Sequence, residues 1–183
     1  MIYLVSQTQE LFISSQYKRI SIKESLEMIK SWDKIQFDSE TTGRDAHCCS
    51  LLCAQFGNDK ADAQIVIDCQ TINICLYKQV LEEKLIIGQN LKFDLQFLYN
   101  HNITPIKVYD TMIVEQLLYL GYPAGQISYS LHSIAERRLG INIDKTVRGE
   151  IIWRGLDEKV ILYAAGDVTP LGKIRDSQLK DIK

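Results

Sequence analysis

Four carboxylates in three separate blocks could do chemistry in this sequence: Asp38 and Glu40 in KIQFDSETTG, Asp94 in IIGQNLKFDLQFL, and Asp167 in ILYAAGDV. Each adjoins a strongly apolar stretch, where an ionised carboxylate without a partner is costly. Acids gathered in such a place repel one another unless positive charge lies between them, and a pair of hard divalent cations supplies it. The pattern therefore points to metal-dependent chemistry. Asp38 and Glu40 stand two apart on an expected strand, so both side chains leave one face and Ser39 leaves the other. The same spacing also suits a strand end where carboxylates meet solvent. Asp94 falls where a strand gives way to a helix; it could bind metal or simply favour the positive end of the helix dipole. Asn90 could cap that helix. Tyr163 and Asp167, four apart on an expected helix, share a face. There the phenol could hydrogen-bond a water or phosphate near a metal, or pack against the sheet with its hydroxyl at the rim.

The surrounding pattern supplies elements to hold these groups. In residues 1–34, a preamble to the first acidic block, IYLV reads as a strand. IKESLEMIKSW follows as a helix with apolar positions at Ile22, Leu26, Ile29 and Trp32. Ser21 and Glu24 fit a capping box at its start. IQFD reads as a buried strand closed by the TTG turn, and SLLCAQFG and AQIVID as two more around the turn-like GNDKAD. ICLYKQVLEEK, KFDLQFLYNHN, TMIVEQLLYLG and SLHSIAERRLG read as helices, with LIIGQN and KVYD as short strands between them. Strands first, then strands alternating with helices, predict an α/β domain with a mixed sheet covered by helices. LDEKVILYAAGDV begins a last helix in which Gly166 costs about 1 kcal/mol against alanine and Pro170 removes a backbone donor. A kink just past Asp167 is expected.

At 183 residues, 46% hydrophobic and 24% charged, the chain suits one domain, 1–183. It has no apolar run long enough for a membrane span. The N-terminus lacks the basic flank of a signal peptide, so a cytoplasmic setting is expected. Five cysteines form no even framework and are expected to be reduced. His47, Cys48, Cys49 and Cys53 lack zinc-ligand spacing, and a loop running into a half-buried strand accounts for them better. A net charge of −2 does not advertise a nucleic-acid binder. It does not exclude one either, because two bound divalent ions would raise it and a protein gripping only a strand end needs few phosphate contacts.

Taken jointly, the blocks resemble the DEDD superfamily of 3′–5′ exonucleases, in the subgroup with a tyrosine in its third motif. FDSETTG matches the first motif, GQNLKFDLQFL the second and YAAGD the third. The second motif is written much as in the proofreading domains of family A DNA polymerases. YDTMIVEQLL, SLHSIAERRLG and DKTVRGEIIWRG extend the match over about residues 35–175. GDV departs from the pattern, which commonly has an acidic residue before the last Asp and a small one after it.

The resemblance implies a ribonuclease-H-like fold: a mixed central β-sheet flanked by α-helices, with Asp38 and Glu40 on a central strand and the helices of Asp94 and Asp167 converging on it. It implies two divalent cations, Mg²⁺ or Mn²⁺, one held by Asp38, Glu40 and Asp167 and the other reached by Asp38 and Asp94. The implied reaction is hydrolysis of the terminal phosphodiester of single-stranded DNA at its 3′ end, releasing nucleoside 5′-monophosphates. Tyr163 would orient the attacking water, since a phenol of ordinary pKa near 10 is a poor base. Asn90 and Phe93 would touch the terminal nucleotide, with Gln89 and Thr41 as further candidates. Lys92, Lys145, Arg148 and Arg154 could meet phosphates or belong to a solvated face. His132 does not stand where the sister subgroup has its histidine, five residues before the last Asp, where this chain has Leu162. It is expected half-buried on its helix. A covalently linked polymerase domain is an implied partner. Two other readings stand beside this one: a ribonuclease D-like 3′–5′ exoribonuclease, favoured by DKTVRGEIIW before YAAGD, and a catalytically inactive module that only binds nucleic acid.

Overall fold

A computed structural model describes residues 1–9, 14–123, 125–143, 151 and 155–182 of the chain. Its sheet has seven strands: β1 (Ile2–Val5), β2 (Tyr17–Arg19), β3 (Lys34–Thr41), β4 (Leu51–Gly57), β5 (Gln64–Asp68), β6 (Leu85–Gly88) and β7 (Lys107–Asp110). They lie in the order β2-β1-β5-β4-β3-β6-β7. β4 runs antiparallel to both of its neighbours, β3 and β5. The other pairings are parallel, which makes the sheet mixed, as expected. β2 was not foreseen: three residues, two of them exposed, carry no readable period.

The helices are α1 (Ile22–Ser31), α2 (Lys78–Glu83), α3 (Leu91–Asn100), α4 (Thr111–Leu118), α5 (Leu131–Leu139), α6 (Glu158–Val168) and α7 (Leu171–Asp181). The capping box of Ser21 and Glu24 starts α1 as predicted. Gly140, at φ 66°, ends α5 in the left-handed conformation that glycine adopts without strain. The ICLY segment is a 3₁₀ turn leading into α2, not the single helix predicted.

Alternate strand residues feed two layers. Val5, Phe37, Ala54, Phe56, Ile65, Ile67 and Ile86 face α1, α2 and α3 in the main core, with Ile29, Leu81, Leu91 and Phe97. Leu4, Cys53 and Val66 face α6, packing on Ile161, Ala164 and Ala165. Next to them Ile87 meets Val168 and Leu171. β4 is thus buried along its whole length, where the sequence suggested a half-buried strand. Lying between β3 and β5, it is covered on both faces.

The predicted break past Asp167 is present. α6 ends at Val168 and α7 restarts at Leu171, with Thr169 and Pro170 between them. Pro170 offers α7 no side-chain cap. Gln36, fully buried on β3, accepts the Gly172 N–H at 2.8 Å instead, tying the new helix to the sheet. His132 is half-buried, its Nδ1 3.2 Å from the carbonyl of Ile143.

Candidate active site

The two-residue period of β3 sends Gln36, Asp38 and Glu40 toward α6 and α7, while Phe37 and Ser39 turn toward α3. α6 packs across β3, β4 and β5 and brings Asp167 to the same place. Carboxylate oxygens of Asp38, Glu40 and Asp167 come within 4.8 Å of one another, and this is the one such acidic, thiol or imidazole cluster among the described residues. All three residues are half-buried. Directly after Glu40 the β3–β4 register shifts, so regular pairing stops where the acids end.

Asp38 lies at the electrostatic centre. Burial pushes its carboxyl well above the ordinary range, and the charges of Asp94, Glu40 and Asp167 push it further. One hydrogen bond opposes them: Gln55, fully buried opposite Asp38 on β4, donates from Nε2 to Asp38 Oδ2 at 2.7 Å. Asp94 approaches from the other layer. It is 2% exposed, and its Oδ1 accepts the Ser39 hydroxyl at 2.6 Å. Burial lifts its pKa to about 7 even though Ser39 works in the other direction. Asp94 therefore stands outside the three-carboxylate cluster, although its charge is felt at Asp38.

Asn90 stands at the cap position of α3 but makes no side-chain cap bond; its backbone is left-handed, φ 58° and ψ 43°. Asp110 does the capping. Its Oδ1 accepts the N–H of Asn90 at 3.0 Å and of Met112 at 2.9 Å, and its Oδ2 accepts that of Leu91 at 2.7 Å. One carboxylate thus anchors the start of α3, whose first turn carries Asp94, and the start of α4. The sequence reading missed Asp110 in this role, as it missed Gln55 and Ser39. The D-T pair opening TMIVEQLL was a helix-start signal, but nothing in it names α3 as the second client.

Of the remaining candidates, Phe93 is half-buried with its ring 5.2 Å from that of Phe97. Asn90 and Lys92 are exposed. Gln89 uses its amide on structure, donating to Tyr129 O at 2.8 Å and accepting from Thr111. Thr41 donates to Gly43 O at 2.6 Å. Tyr163 sits one turn before Asp167 on α6, and both line a cavity of about 480 Å³. Lys145, Arg148 and Arg154 lie outside the described residues.

Three oxygen donors at this separation, with mutual repulsion concentrated on Asp38, suit a hard divalent cation better than a thiophilic one. Cys48 and Cys49 lie between β3 and β4, with their Sγ atoms 3.8 Å apart.

Residues 16–183 match the 3′–5′ exonuclease family. DNA polymerase I of Aquifex aeolicus is 31% identical over 156 residues, 84% of this chain. The chain spans 25% of that curated relative's length. Among solved structures, Brucella melitensis NrnC aligns with a TM-score of 0.75 at 19% identity, over 99% of this chain and 81% of that one. NrnC has also been solved with bound Mg²⁺. Escherichia coli RNase D, described as an exoribonuclease involved in structured RNA processing, aligns with a TM-score of 0.75 at 21% identity, over 99% of this chain and 45% of that one. At such identities the structural likeness speaks for the fold, and it is the ribonuclease-H-like mixed sheet that was expected. No described helix is long and apolar enough to cross a membrane. With the family matched over most of its length and the acids of the first and third motifs converging, the chain belongs to the 3′–5′ exonucleases.

Proposed function

We propose that residues 1–183 form a single exonuclease domain that shortens single-stranded DNA from its 3′ end, in the manner of a proofreading domain, releasing nucleoside 5′-monophosphates. The observation that carries the reading is the convergence of Asp38, Glu40 and Asp167 within 4.8 Å. DNA is favoured over RNA because the relative above 30% identity is a DNA polymerase, whereas RNase D and NrnC are matched at lower identity. A polymerase domain on the same polypeptide belongs to the same proposal.

Two Mg²⁺ or Mn²⁺ ions, one held by Asp38, Glu40 and Asp167 and one shared by Asp38 and Asp94, would acidify the attacking water and offset charge on the departing 3′ oxygen. Gln55 holds Asp38 in one orientation, and Ser39 does the same for Asp94. Tyr163, one turn from Asp167, orients the water. Asn90, with its side chain not spent on capping, and Phe93 contact the terminal nucleotide. Gln89 and Thr41 act on that nucleotide indirectly, by shaping the segments on either side of it.

A 5′-labelled strand, offered as DNA and as RNA of one sequence, tests the proposal. Stepwise shortening of the DNA from its 3′ end, abolished by EDTA, is expected. Preference for the RNA would transfer the reading to an exoribonuclease, since a 2′-hydroxyl must be tolerated or excluded at the terminal sugar. Tyr163→Phe should retain a measurable fraction of the rate, and a complete loss would contradict a positioning role.

A further inference from the structure

The loop that carries Cys48 and Cys49 is built around Asp45. The Asp45 carbonyl accepts the Cys48 N–H at 3.2 Å and the Cys49 N–H at 2.9 Å, closing one helical turn. Its Oδ1 accepts the His47 N–H at 2.9 Å. Ala46 is buried in the main core, and its carbonyl accepts from the side-chain amide of Asn100 at the end of α3. The turn is therefore fixed to the body of the protein.

In a helical turn, consecutive side chains point apart. These two sulfurs nonetheless lie 3.8 Å from each other, and Cys48 Sγ is also 3.7 Å from the Asp45 carbonyl. The Cys49 sulfur rests over the bare Cα of Gly43, where an added Cβ would come within 2.5 Å of it. Gly43 has no positive φ, so the room taken by that sulfur is what excludes a side chain there. Cys48 is exposed, and the half-buried Cys49 lines a cavity of about 650 Å³. The remaining thiols are disposed differently. Cys53 is fully buried, while Cys69 and Cys75 donate to the carbonyls of Ile67 and His101.

Two thiolates held by one tetrahedral ion, each about 2.3 Å from it, stand roughly 3.8 Å apart. The reduced pair already has that separation, so a cation could replace the two thiol protons with little movement. The hydrogen bond from Cys49 and then the Asp45 charge hold the Cys48 thiol above its ordinary pKa, so the protons are present to be displaced. The same Asp45 charge attracts a cation. What this loop lacks is the spacing of a closed four-ligand zinc site; two adjacent thiols leave the other positions to water.

We propose that Cys48 and Cys49 form a two-thiolate site for one thiophilic divalent cation of the zinc and cadmium class, separate from the carboxylates that suit hard ions. Binding forms two metal–sulfur bonds, breaks two S–H bonds and releases two protons and the displaced waters to solvent. No electron is transferred. The protein thereby sorts cations by softness, with oxygen donors at one place and sulfur donors at another.

Titration of the whole chain with Cd²⁺ tests this, in a phosphine reductant and with Mg²⁺ in excess to satisfy the carboxylates. The readout is the thiolate-to-metal charge-transfer absorption, which carboxylates do not give, so the outcome does not depend on any nuclease activity. Saturation at one cation per chain is expected, reversed by Zn²⁺ and not produced by Mn²⁺. Proton release should approach about two per cation. Cys48→Ser alters an exposed position and should weaken binding roughly 100-fold or more, because one thiolate no longer assists the other. Cys75→Ser removes another exposed thiol and should leave the affinity unchanged. Wild-type affinity in Cys48→Ser would overturn the proposal, as would release of a single proton or an equal loss in Cys75→Ser.

Discussion

Two regions of this protein bury acid, and they treat it in opposite ways. Glu115, on α4, is fully buried and surrounded by donors. Arg137 reaches its Oε1 at 2.9 Å, Arg138 reaches Oε2, and Gln178 donates to Oε2 at 2.8 Å. For Arg138, burial works against the charge, yet Asp181 and Glu115 outweigh it and hold its pKa above the ordinary value. That cluster joins α4, α5 and α7. At the other region, among the described residues, the charges of Asp94, Glu40 and Asp167 raise Asp38, and the neutral amide of Gln55 donates to it. The difference lies in what each arrangement does to its acid: opposite charges around Glu115 close a junction of three helices, whereas the acids gathered near Asp38 raise its pKa.

The most severe way to break this contrast is to remove its central acid. Asp38→Asn should reduce nucleotide release to background, while the melting temperature in EDTA rises because the mutual repulsion is relieved. A variant both active and no more stable would contradict the account. Next in size, Glu115→Gln leaves two arginines short of their partner and should cost about 3–5 kcal/mol in chemical denaturation. The fraction that remains folded should keep its turnover rate, because that cluster only holds helices together.

A third prediction uses pH. Burial raises Asp94 to about 7 in the folded chain, above its value when unfolded, so the native state prefers the protonated acid. The stability this confers is complete at pH values below the unfolded pKa of about 4 and is lost as pH climbs through about 7. In EDTA, wild type should therefore lose stability over that window relative to Asp94→Asn, by an amount on the order of a few kcal/mol. Added Mg²⁺ should stabilise most at the alkaline end. Parallel melting curves for the two proteins in EDTA would exclude the assignment. The smallest effect concerns support: Gln55→Leu should weaken Mn²⁺ binding about 10–100-fold by titration calorimetry with the fold intact.

The same contrast explains which parts could be read in advance. Asp38 and Glu40 share a face because of a period of two, and Tyr163 and Asp167 because of a spacing of four; both are local rules, so both were legible. The capping box of α1 and the break at Pro170 are local as well. Gln55 supports Asp38 only because the antiparallel register sets one opposite the other. Asp110 replaces Asn90 as the cap of α3 only because β7 lies beside β6, and Ser39 meets Asp94 only across the packed layer. Such contacts join distant stretches of chain and leave no periodic trace.

The shared carboxylate of Asp110 carries a dynamic consequence. Since it grips amides from two helices at once, releasing it should free both together. Local opening at that point would then be a single event, and the amide protons of Asn90, Leu91 and Met112 should exchange with deuterium at one common rate, faster in Asp110→Asn and unaffected by added Mg²⁺. The joint between α3 and α4 would then be a side chain, not a loop.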